Sequence, residues 1–317
     1  MEIAIIDSGY KSYDFEKELF VKNGFDLKIY PTYAGDIADK IRFAIDADGI
    51  LVRHTVIDDN FLSGMKHLKA VVRYGVGYDN IDVDACTRHG VKVANVQGYA
   101  NHAVSDHAMA LMFSCCRAMW DTDAQLLKRF AAPPAEDVFE LHDKTLGIVG
   151  LGRIGSMFCR KASPLFRKVI ASDPYKASAH FISLSVKSVG FEELLAESDV
   201  ISIHCSLTDE TKHLMNKEAF ALMKKRPVII NTSRGGVICE ADLVGALNSG
   251  KIHSAAIDVY EDEPITVRQS ALVSHPRTIC TGHYAWYSDY SAVELQKRAA
   301  RNLLAFLTGE QVEDALN

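Results

Sequence analysis

Two long blocks of the chain alternate short apolar runs with helix-forming stretches, and this alternation limits the folds that the chain can adopt. In the first block the predicted strands are Ile3–Ile6, Phe25–Tyr30, Gly49–Arg53, Ala70–Arg73 and Val91–Asn95. The helices predicted between them are Tyr13–Lys22, Ile37–Ala44, Asp59–Met65 and Val83–Arg88. Strands that alternate with helices form βαβ units, so this block predicts a parallel sheet.

The alternation starts again at Lys144 and is more regular there. The predicted strands are Thr145–Val149, Lys168–Ser172, Val200–His204, Pro227–Asn231, Ser254–Asp258 and Thr278–Cys280. The helices that separate most of them are Ile154–Ala162, Phe191–Ala196, Lys217–Met223 and Glu240–Asn248. Six strands in this order predict a doubly wound sheet, and the final stretch, Ala292–Leu307, predicts one amphipathic helix.

An apolar segment joins the two blocks. It runs from about His102 to Phe130, contains neither Gly nor Pro, and has apolar residues on more than one face. We therefore predict a helix that is buried on two sides and ends at Ala131-Ala132-Pro133-Pro134. Because 317 residues exceed a typical single domain, the predicted fold class is α/β with two doubly wound parallel-sheet domains.

Charge and composition disfavour several kinds of partner. The net charge is −6 and no long basic run occurs, which disfavours binding to nucleic acid or to an anionic membrane surface. The sequence contains no uninterrupted run of about 18 apolar residues, so no membrane span is predicted. The N-terminal MEIAIIDSGY predicts a strand rather than a signal peptide. Seven scattered cysteines without a CxxC pair favour reduced thiols, no metal site and a cytoplasmic protein.

A glycine-rich segment, TLGIVGLGRIG (145–155), follows a predicted strand and opens a predicted helix. Three glycines at this spacing are weak evidence in isolation, but here they lie where a dinucleotide-binding turn needs them. Gly150 allows the tight turn, Gly152 lets the backbone approach a pyrophosphate, and Gly155 permits close helix–strand packing. Arg153 and Ile154 open the helix whose N–H groups would hold the phosphate charge. The competing interpretation is a glycine-rich packing turn.

An acidic residue follows the next predicted strand. Asp173 lies 18 residues beyond Gly155, where a carboxylate can accept hydrogen bonds from both adenosine ribose hydroxyls. Its charge would also repel a 2′-phosphate, which predicts NAD rather than NADP as the cofactor. Lys176 lies close by in the sequence and partly offsets that charge argument.

Six segments, in order, carry a resemblance to a known family: VVRYGVGYDNID (71–82), NVQGYANHAVSDHA (95–108), KTLGIVGLGRIG (144–155), VIINTSRGGVI (228–238), AAIDVYEDEP (255–264) and TGHYAW (281–286). Over nearly its whole length the chain resembles the D-isomer-specific 2-hydroxyacid dehydrogenases. The resemblance implies a flavodoxin-like substrate domain of residues 1–101 and 291–317, and a Rossmann NAD-binding domain of residues 102–290. It also implies an active site in the cleft and a homodimer that pairs through the apolar helix.

The chemistry of reducing a 2-oxo acid indicates which residue types to look for. A cation must orient the carboxylate, and a proton donor must reach the carbonyl oxygen while NADH delivers hydride to carbon. Arg234 follows a predicted strand, at the sheet edge where ligands bind, and a guanidinium can hold a carboxylate bidentately. In the family, His283 matches the acid/base residue, and Glu263 matches the carboxylate that orients it and favours its protonated form.

Further site residues are predicted around this group. Asp258, at a strand end, is a candidate for bonding the nicotinamide amide, with a strand-end cap as the alternative. His204 and Thr232 are candidate cofactor neighbours. The family's substrate loop matches Arg73, Tyr74, Gly75, Val76 and Gly77, in which glycine N–H groups would face the substrate carboxylate. Trp286, three residues after His283, is a candidate wall of the substrate pocket.

Three positions depart from the family's pattern and one alternative function stays open. Gln97, Ser206 and Gly282 stand where proline is common, which loosens loops without removing a catalytic group. The chain looks most like the branch that includes C-terminal-binding proteins and phosphoglycerate dehydrogenases, so an NAD(H)-sensing binding protein is the alternative to an enzyme. The absence of a long disordered tail favours the enzyme. The sequence does not identify the 2-hydroxy acid.

Overall fold

The computed structural model describes residues 1–32, 35–119, 137–263 and 270–317, and the chain divides into two compact units. Unit 1 comprises Met1–Ala100 and Ser288–Asn317, and unit 2 comprises Asn101–Tyr287. These ranges differ by a few residues at each junction from the domain ranges expected from the sequence. Among the described residues, no helix combines the length and the apolar character that a membrane span needs.

Unit 1 is built from alternating strands and helices. Its strands are β1 (Glu2–Ile5), β2 (Asp26–Ile29), β3 (Gly49–Val52), β4 (Ala70–Arg73) and β5 (Lys92–Ala94). Its helices are α1 (Asp14–Lys22), α2 (Ile37–Ala44), α3 (Asp59–Ser63), α4 (Val83–Arg88) and the last helix of the chain, α11 (Asp289–Thr308). The side chains of Asp36, Asp58 and Asp82 cap α2, α3 and α4, because each accepts a bond from a backbone N–H of the first turn.

The described strands of unit 1 form one parallel sheet in the order β2-β1-β3-β4-β5. This is the flavodoxin-like order, in which the direction of winding reverses between β1 and β3. Every residue of β3 is buried, as expected for a parallel strand with both faces covered. A Cβ on Gly49 would lie 2.9 Å from Cδ1 of Leu307, so α11 packs directly on the backbone of β3.

Unit 2 contains the second series of elements. Its strands are β6 (Thr145–Val149), β7 (Lys168–Ser172), β8 (Lys187–Ser188), β9 (Val200–Ile203), β10 (Val228–Asn231), β11 (Ser254–Ile257) and β12 (Thr278–Cys280). Its helices are α5 (Asn101–Cys116), α6 (Arg153–Ala162), α7 (Ser178–Ser183), α8 (Phe191–Glu197), α9 (Lys217–Leu222) and α10 (Glu240–Asn248). Short 3₁₀ turns lie at Ser163–Leu165 and Gly235–Val237.

The strands that the structure describes in unit 2 form a parallel sheet in the order β12-β11-β10-β9-β6-β7-β8. Winding reverses between β6 and β9, the Rossmann arrangement, so the predicted fold class is confirmed for both units. The sequence predicted six strands in this block, and the structure adds α7 and the edge strand β8. Both residues of β8 are exposed, so this strand has no apolar run that a sequence pattern reveals.

Helix α5 is shorter than predicted. It ends at Cys116, and Ala118 has a φ of +52°, a left-handed conformation that interrupts a helix. The prediction of a continuous helix to Phe130 is therefore wrong, and its predicted end at 131–134 lies outside the described residues. The described part is buried on one side, against α6 and the strands β10, β11 and β12.

Candidate active site

The glycine loop after β6 has the geometry that its sequence predicts. Gly150 has a φ of +88°, and a Cβ there would lie 2.8 Å from the backbone N of Cys205. A Cβ on Gly155 would lie 2.1 Å from the carbonyl O of Gly150, so α6 packs against the turn without room for a side chain. A Cβ on Gly152, by contrast, would meet no described atom within 4 Å, so the backbone is open to a ligand on that side.

This loop lies at the point where the winding of the sheet reverses, between the carboxyl ends of β6 and β9. Ligands of doubly wound sheets bind at such points. Arg153 is the first residue of α6, and Gly152, its N-cap, supplies no side-chain cap. The N-terminal N–H groups of α6 are therefore suited to an anionic group.

Asp173 joins the glycine loop to the end of β7. Its Oδ2 accepts the N–H of Leu151 at 2.8 Å, and its Oδ1 accepts the N–H of Tyr175 at 3.0 Å. A carboxylate has about four acceptor positions. Asp173 is thus held in a fixed orientation and retains capacity to accept hydroxyl donors such as those of a ribose.

His204 lies beside the glycine loop in an enclosed position. Its Nε2 pairs with Ser202 Oγ at 2.8 Å, and its ring is tilted on Phe158 with centroids 4.9 Å apart. Burial lowers the pKa of His204 to about 3, so it is neutral at physiological pH. A neutral His204 is suited to packing and hydrogen bonding, not to acid catalysis at neutral pH.

Two buried polar atoms near this sheet edge fit a bound dinucleotide. Thr232 Oγ1 and His204 Nδ1 are enclosed and have no hydrogen-bond partner within the described part of the chain. Buried polar atoms are normally paired, so unpaired ones mark places where a ligand or water completes the bonding. Together with the open side of Gly152, they make the residues predicted for the cofactor compatible with NAD.

Arg234 follows β10 in a turn that its neighbours hold in place. Asn231 donates from Nδ2 to the carbonyl O of Arg234 at 2.9 Å, and Asn231 Oδ1 accepts the N–H of Ser233 at 3.0 Å. A Cβ on Gly235 would lie 1.8 Å from the carbonyl C of Tyr260. The absence of a side chain at Gly235 therefore lets the Arg234 turn pack directly on the loop that follows β11.

His283 and Glu263 form a pair in unit 2. His283 Nδ1 lies 2.6 Å from Glu263 Oε2, and Glu263 Oε1 accepts the N–H of Tyr260 at 3.0 Å. Burial raises the pKa of Glu263, but the hydrogen bond and charge of His283, the Tyr260 N–H and the charge of Arg234 outweigh it. The net pKa is lowered, so Glu263 is ionised at neutral pH. The structure thus brings together the three residues predicted for catalysis.

Asp258 is fully buried. Its contacts fit a strand-end cap better than a hydrogen bond to the nicotinamide amide. Its carboxylate accepts the Thr281 hydroxyl and the backbone N–H groups of Tyr284 and Ala285. All three donors belong to the loop after β12. Trp286 is half-buried in the same loop, and its Nε1 donates to the carbonyl O of His283 at 3.1 Å.

The predicted substrate loop of unit 1 needs two corrections. The Tyr74 side chain is buried and its hydroxyl donates to Glu16 Oε1 at 3.0 Å, so it belongs to the core and does not line a pocket. The N–H of Gly75 donates to the carbonyl O of Arg73 at 2.9 Å, and so does not face a ligand. A Cβ on Gly75, whose φ is +143°, would collide with the Arg73 guanidinium. Gly75 therefore makes room for this arginine.

Val76 and Gly77 are the last two residues of the predicted substrate loop. Val76 is exposed, and its carbonyl O accepts Asn95 Nδ2 at 2.6 Å. Gly77 is partly exposed. These contacts fix the loop within unit 1 and leave its ligand a prediction.

Sequence reasoning missed a buried polar network at the ends of β1 and β3. Asp7 Oδ1 lies 2.6 Å from Lys40 Nζ, and Asp7 Oδ2 accepts the N–H groups of Arg53, His54 and Thr55. Burial raises the pKa of Asp7, but the hydrogen bonds from Lys40, from the hydroxyl and N–H of Thr55 and from the N–H of His54 outweigh it and lower the pKa to about 2. A charged residue directly after an apolar strand was the available signal.

The fold and the glycine loop define a dinucleotide-binding α/β protein of two units. Residues 109–285 match the family described as D-isomer specific 2-hydroxyacid dehydrogenase, NAD binding domain. This match covers more than half of the chain, and the chain belongs to the D-isomer-specific 2-hydroxyacid dehydrogenase family. The predicted family resemblance and NAD as the predicted cofactor are confirmed.

Relatives and solved structures agree with this assignment. The chain is 38% identical over 277 residues to a D-3-phosphoglycerate dehydrogenase of Mycobacterium leprae, a match that covers 86% of the chain and 51% of the relative. It is 27% identical to a D-lactate dehydrogenase of Aquifex aeolicus solved with NAD and lactic acid, with a TM-score of 0.86 and coverage of 98% and 96%. A glyoxylate reductase of Paecilomyes thermophila is 28% identical, with a TM-score of 0.88 and coverage of 99% and 98%. The chain spans about half the length of the curated relatives that it matches.

Proposed function

We propose that this protein transfers hydride between NAD(H) and a small 2-oxo acid or its D-2-hydroxy acid. One observation carries the proposal: His283 Nδ1 lies 2.6 Å from Glu263 Oε2, in a loop cluster that also holds Arg234. A histidine paired with an ionised carboxylate is the group that proton transfer to a carbonyl oxygen requires near neutral pH.

His283 would act as the proton donor in reduction. With Nδ1 bonded to Glu263, Nε2 is the ring nitrogen that would donate to the substrate's carbonyl oxygen. The C=O π bond breaks, the oxygen receives this proton, and neutral His283 regains a proton from solvent. Bound NADH would supply the hydride that the carbonyl carbon receives, and is thereby oxidised to NAD⁺.

Arg234 would bind the substrate carboxylate. Its guanidinium is planar and permanently charged, and it can form two parallel hydrogen bonds to a carboxylate. The Arg234 turn packs on the loop that leads to Glu263, because a Cβ on Gly235 would lie 1.8 Å from the carbonyl C of Tyr260, and the charge of Arg234 contributes to the lowered pKa of Glu263. A substrate carboxylate held there would place its 2-oxo group beside His283.

The residues proposed for the cofactor are those of the glycine loop and the neighbouring strand ends. The N–H groups at the start of α6 would bind the pyrophosphate, and Asp173 would accept the adenosine ribose hydroxyls. Thr232 Oγ1 and His204 Nδ1 would gain the partners that they lack among the described residues.

For the substrate we propose a medium-sized unphosphorylated 2-oxo acid, with Trp286 as an apolar wall. An aromatic wall gains about 0.8 kcal/mol for each CH₂ group that it buries, and it offers a phosphate nothing comparable. The second candidate is 3-phosphohydroxypyruvate, which the phosphoglycerate dehydrogenase relatives suggest. In its favour, Arg53 directly follows β3 and Arg73 is the last residue of the adjacent strand β4 in unit 1.

A screen of NADH oxidation separates these possibilities. Glyoxylate, hydroxypyruvate, a larger apolar 2-oxo acid and 3-phosphohydroxypyruvate are compared by kcat/KM, with NADH and with NADPH. Our proposal expects the unphosphorylated acids to be better substrates, and Trp286→Ala to reduce their advantage. A preference for 3-phosphohydroxypyruvate that survives Trp286→Ala but is lost in Arg53→Met would replace the aromatic-wall proposal with the phosphate one.

The same screen tests the NAD(H)-sensing alternative. A sensing protein would bind NADH and turn over negligibly with every acid. Substantial turnover that His283→Ala lowers by about 100-fold or more would support the enzyme. NADH binding without turnover on all four acids would contradict our proposal.

A further inference from the structure

The loop after β12 holds His283 in an unusual backbone conformation. His283 has a φ of +54°, in the left-handed region that side chains with a Cβ rarely adopt. Such a conformation persists only when the surrounding structure fixes it, and it occurs frequently at functional sites. The contacts on either side of His283 therefore decide where its imidazole lies.

The peptide groups that follow His283 are held by one buried carboxylate. Asp258 Oδ1 accepts the N–H of Tyr284 at 3.1 Å, and Asp258 Oδ2 accepts the N–H of Ala285 at 2.9 Å. Asp258 lies directly after β11 and is 0% exposed. A group so placed fixes the loop that carries His283 to β11, a strand paired on both sides by β10 and β12.

A hydroxyl and a second histidine extend this contact to α5. Thr281 Oγ1 lies 2.5 Å from Asp258 Oδ1, and His107 Nε2 lies 3.0 Å from Thr281 Oγ1. A threonine hydroxyl has one proton to donate, and Asp258 already receives N–H donors at both oxygens. Thr281 therefore donates to Asp258, which requires His107 to carry its proton on Nε2 and to donate to Thr281.

A second contact joins α5 to the same loop. The rings of His107 and Tyr284 meet edge to face, with centroids 5.2 Å apart. His107 thus contacts residues on both sides of His283, one through a hydrogen bond and one through its ring.

The opposite side of the loop is also fixed. The Tyr260 hydroxyl donates to the carbonyl O of Thr281 at 2.8 Å, and the Tyr260 N–H donates to Glu263 Oε1 at 3.0 Å. One residue therefore links the backbone beside His283 to the carboxylate that orients its ring. The two hydrogen bonds of Tyr260 therefore hold both sides of the 2.6 Å contact between His283 and Glu263.

We propose that His107, Thr281 and Asp258 form a hydrogen-bonded relay of positioning residues that sets the proton-transfer geometry of His283. This inference rests on the proposed function of His283 as acid/base. It assigns Asp258 to holding the histidine loop through its own hydrogen bonds. It also gives His107 and Thr281 a role in catalysis that requires no contact with substrate or cofactor.

Matched substitutions separate the hydrogen bonds from the space that the side chains fill. Thr281→Val removes the hydroxyl at nearly constant volume, whereas Thr281→Ser keeps it. His107→Leu removes the donor, whereas His107→Gln retains an N–H group at the end of the side chain. We expect Thr281→Val and His107→Leu each to lower kcat by about tenfold to a hundredfold, because small displacements of a reacting group cost that much. Thr281→Ser and His107→Gln should retain most of the wild-type kcat.

The relay makes two further kinetic predictions. KM and the Kd of NADH should stay within about twofold of wild type, because no variant removes a ligand contact. The double variant His107→Leu/Thr281→Val should be no slower than the worse single variant, because both substitutions break one chain of hydrogen bonds. A fall in NADH affinity that matches the fall in kcat, or fully additive losses, would overturn the relay.

Amide hydrogen exchange tests the relay without turnover. The N–H groups of Tyr284 and Ala285 should exchange faster in Thr281→Val and His107→Leu than in Thr281→Ser and His107→Gln, with the melting temperature unchanged. Equal exchange in all four variants would contradict the relay. If the wild type reduces no oxo acid, the proposed function fails, and the exchange rates still decide whether the relay holds the loop.

Discussion

Glu263 determines how the proposed acid/base pair responds to pH. Burial raises the pKa of this carboxyl, but the hydrogen bond and charge of His283, the Tyr260 N–H and the charge of Arg234 together lower it. Because the folded-state pKa lies below the ordinary value, the stabilisation is present above the ordinary carboxyl range. It is lost as the pH falls through the lowered pKa. Glu263 is therefore ionised throughout the neutral range.

Glu263→Gln tests this dependence. Reduction needs protonated His283, and the substitution removes the negative charge that favours the imidazolium form. We expect the fall of kcat/KM at rising pH to move to lower pH, measured with the best oxo acid of the screen. Glu261→Gln, in the same loop but bonded to His213 and to the Glu240 N–H, is the matched control and should leave the profile in place. An unchanged profile in Glu263→Gln would remove Glu263 from the site.

Asp173 is the residue on which cofactor choice should depend. Asp173→Ala removes a negative charge and the acceptors proposed for the ribose hydroxyls, so the Kd of NADH should rise and the gap to NADPH should narrow. It also removes the contacts with the N–H groups of Leu151 and Tyr175. Asp173→Asn keeps one acceptor without the charge, so it separates loop support from repulsion of a 2′-phosphate. A wild type that already prefers NADPH would contradict this interpretation of Asp173.

At the scale of elements, strands made of an apolar run could be predicted from the sequence, whereas the polar edge strand β8 could not. β4, β6, β7 and β12 have the predicted bounds, because each apolar run is flanked by turn residues. The edge strand β8 has two exposed residues, and tertiary pairing with β7 alone defines it. The end of α5 at Cys116 depends on a left-handed Ala118, which no residue preference indicates.

The candidate site also has residues that the sequence identified and residues whose role only the fold decides. Sequence motifs located Arg234, Glu263 and His283, because each follows a strand at the sheet edge where ligands bind. The motifs placed Tyr74 in the substrate loop with Arg73 and Gly75, although its side chain points into the core toward Glu16. They also left Asp258 undecided between a cap and a ligand. Both distinctions depend on contacts between segments far apart in the sequence, which only the folded chain establishes.

The β6–α6 turn provides a prediction at this scale. Gly155→Ala would place a Cβ 2.1 Å from the carbonyl O of Gly150, whereas Gly152→Ala would meet no described atom within 4 Å. We expect Gly155→Ala to destabilise the protein by about 1–3 kcal/mol, the usual cost of overpacking. Gly152→Ala should leave thermal stability nearly unchanged and weaken NADH binding, because its methyl group would lie where the pyrophosphate approaches. Calorimetry and NADH titration measure both effects. Normal NADH affinity in a folded Gly152→Ala protein would contradict the proposed cofactor position.

At the scale of the whole molecule, unit 1 is assembled from both ends of the chain. The N–H of Leu316 donates to the carbonyl O of Val93 at 2.8 Å, and α11 packs on β3 and β4. Residues 101–287 are inserted between these parts. Unit 1 therefore reaches its native contacts only after the inserted unit has been synthesised. The stability of the unit 1 sheet therefore depends on contacts with residues near the C-terminus, such as Leu316.

The remaining expectation for the whole molecule is a homodimer, and the exposed side of α5 makes it testable. His102, Asp106, Ala110 and Phe113 form an exposed stripe of α5 at helical spacing, and Arg117, just beyond the end of the helix, is also exposed. Phe113, which is 41% exposed, provides the large apolar side chain of this stripe. Burying such a ring between two copies would stabilise a dimer by roughly 1.5–3 kcal/mol per side chain, whereas leaving it in water gives no such gain.

Light scattering at micromolar concentration should therefore give a mass of about twice the 35.0 kDa of one chain. Phe113→Asp should shift the protein toward monomer, because it removes the apolar ring and puts in its place a charge that dimer formation would have to desolvate. Ile182→Asp is the matched control, because Ile182 is 75% exposed on α7 and makes the same change of charge away from α5. A wild-type monomer at this concentration would refute the dimer. A dimer that Phe113→Asp and Ile182→Asp leave equally intact would instead show that the two copies pair through a different surface.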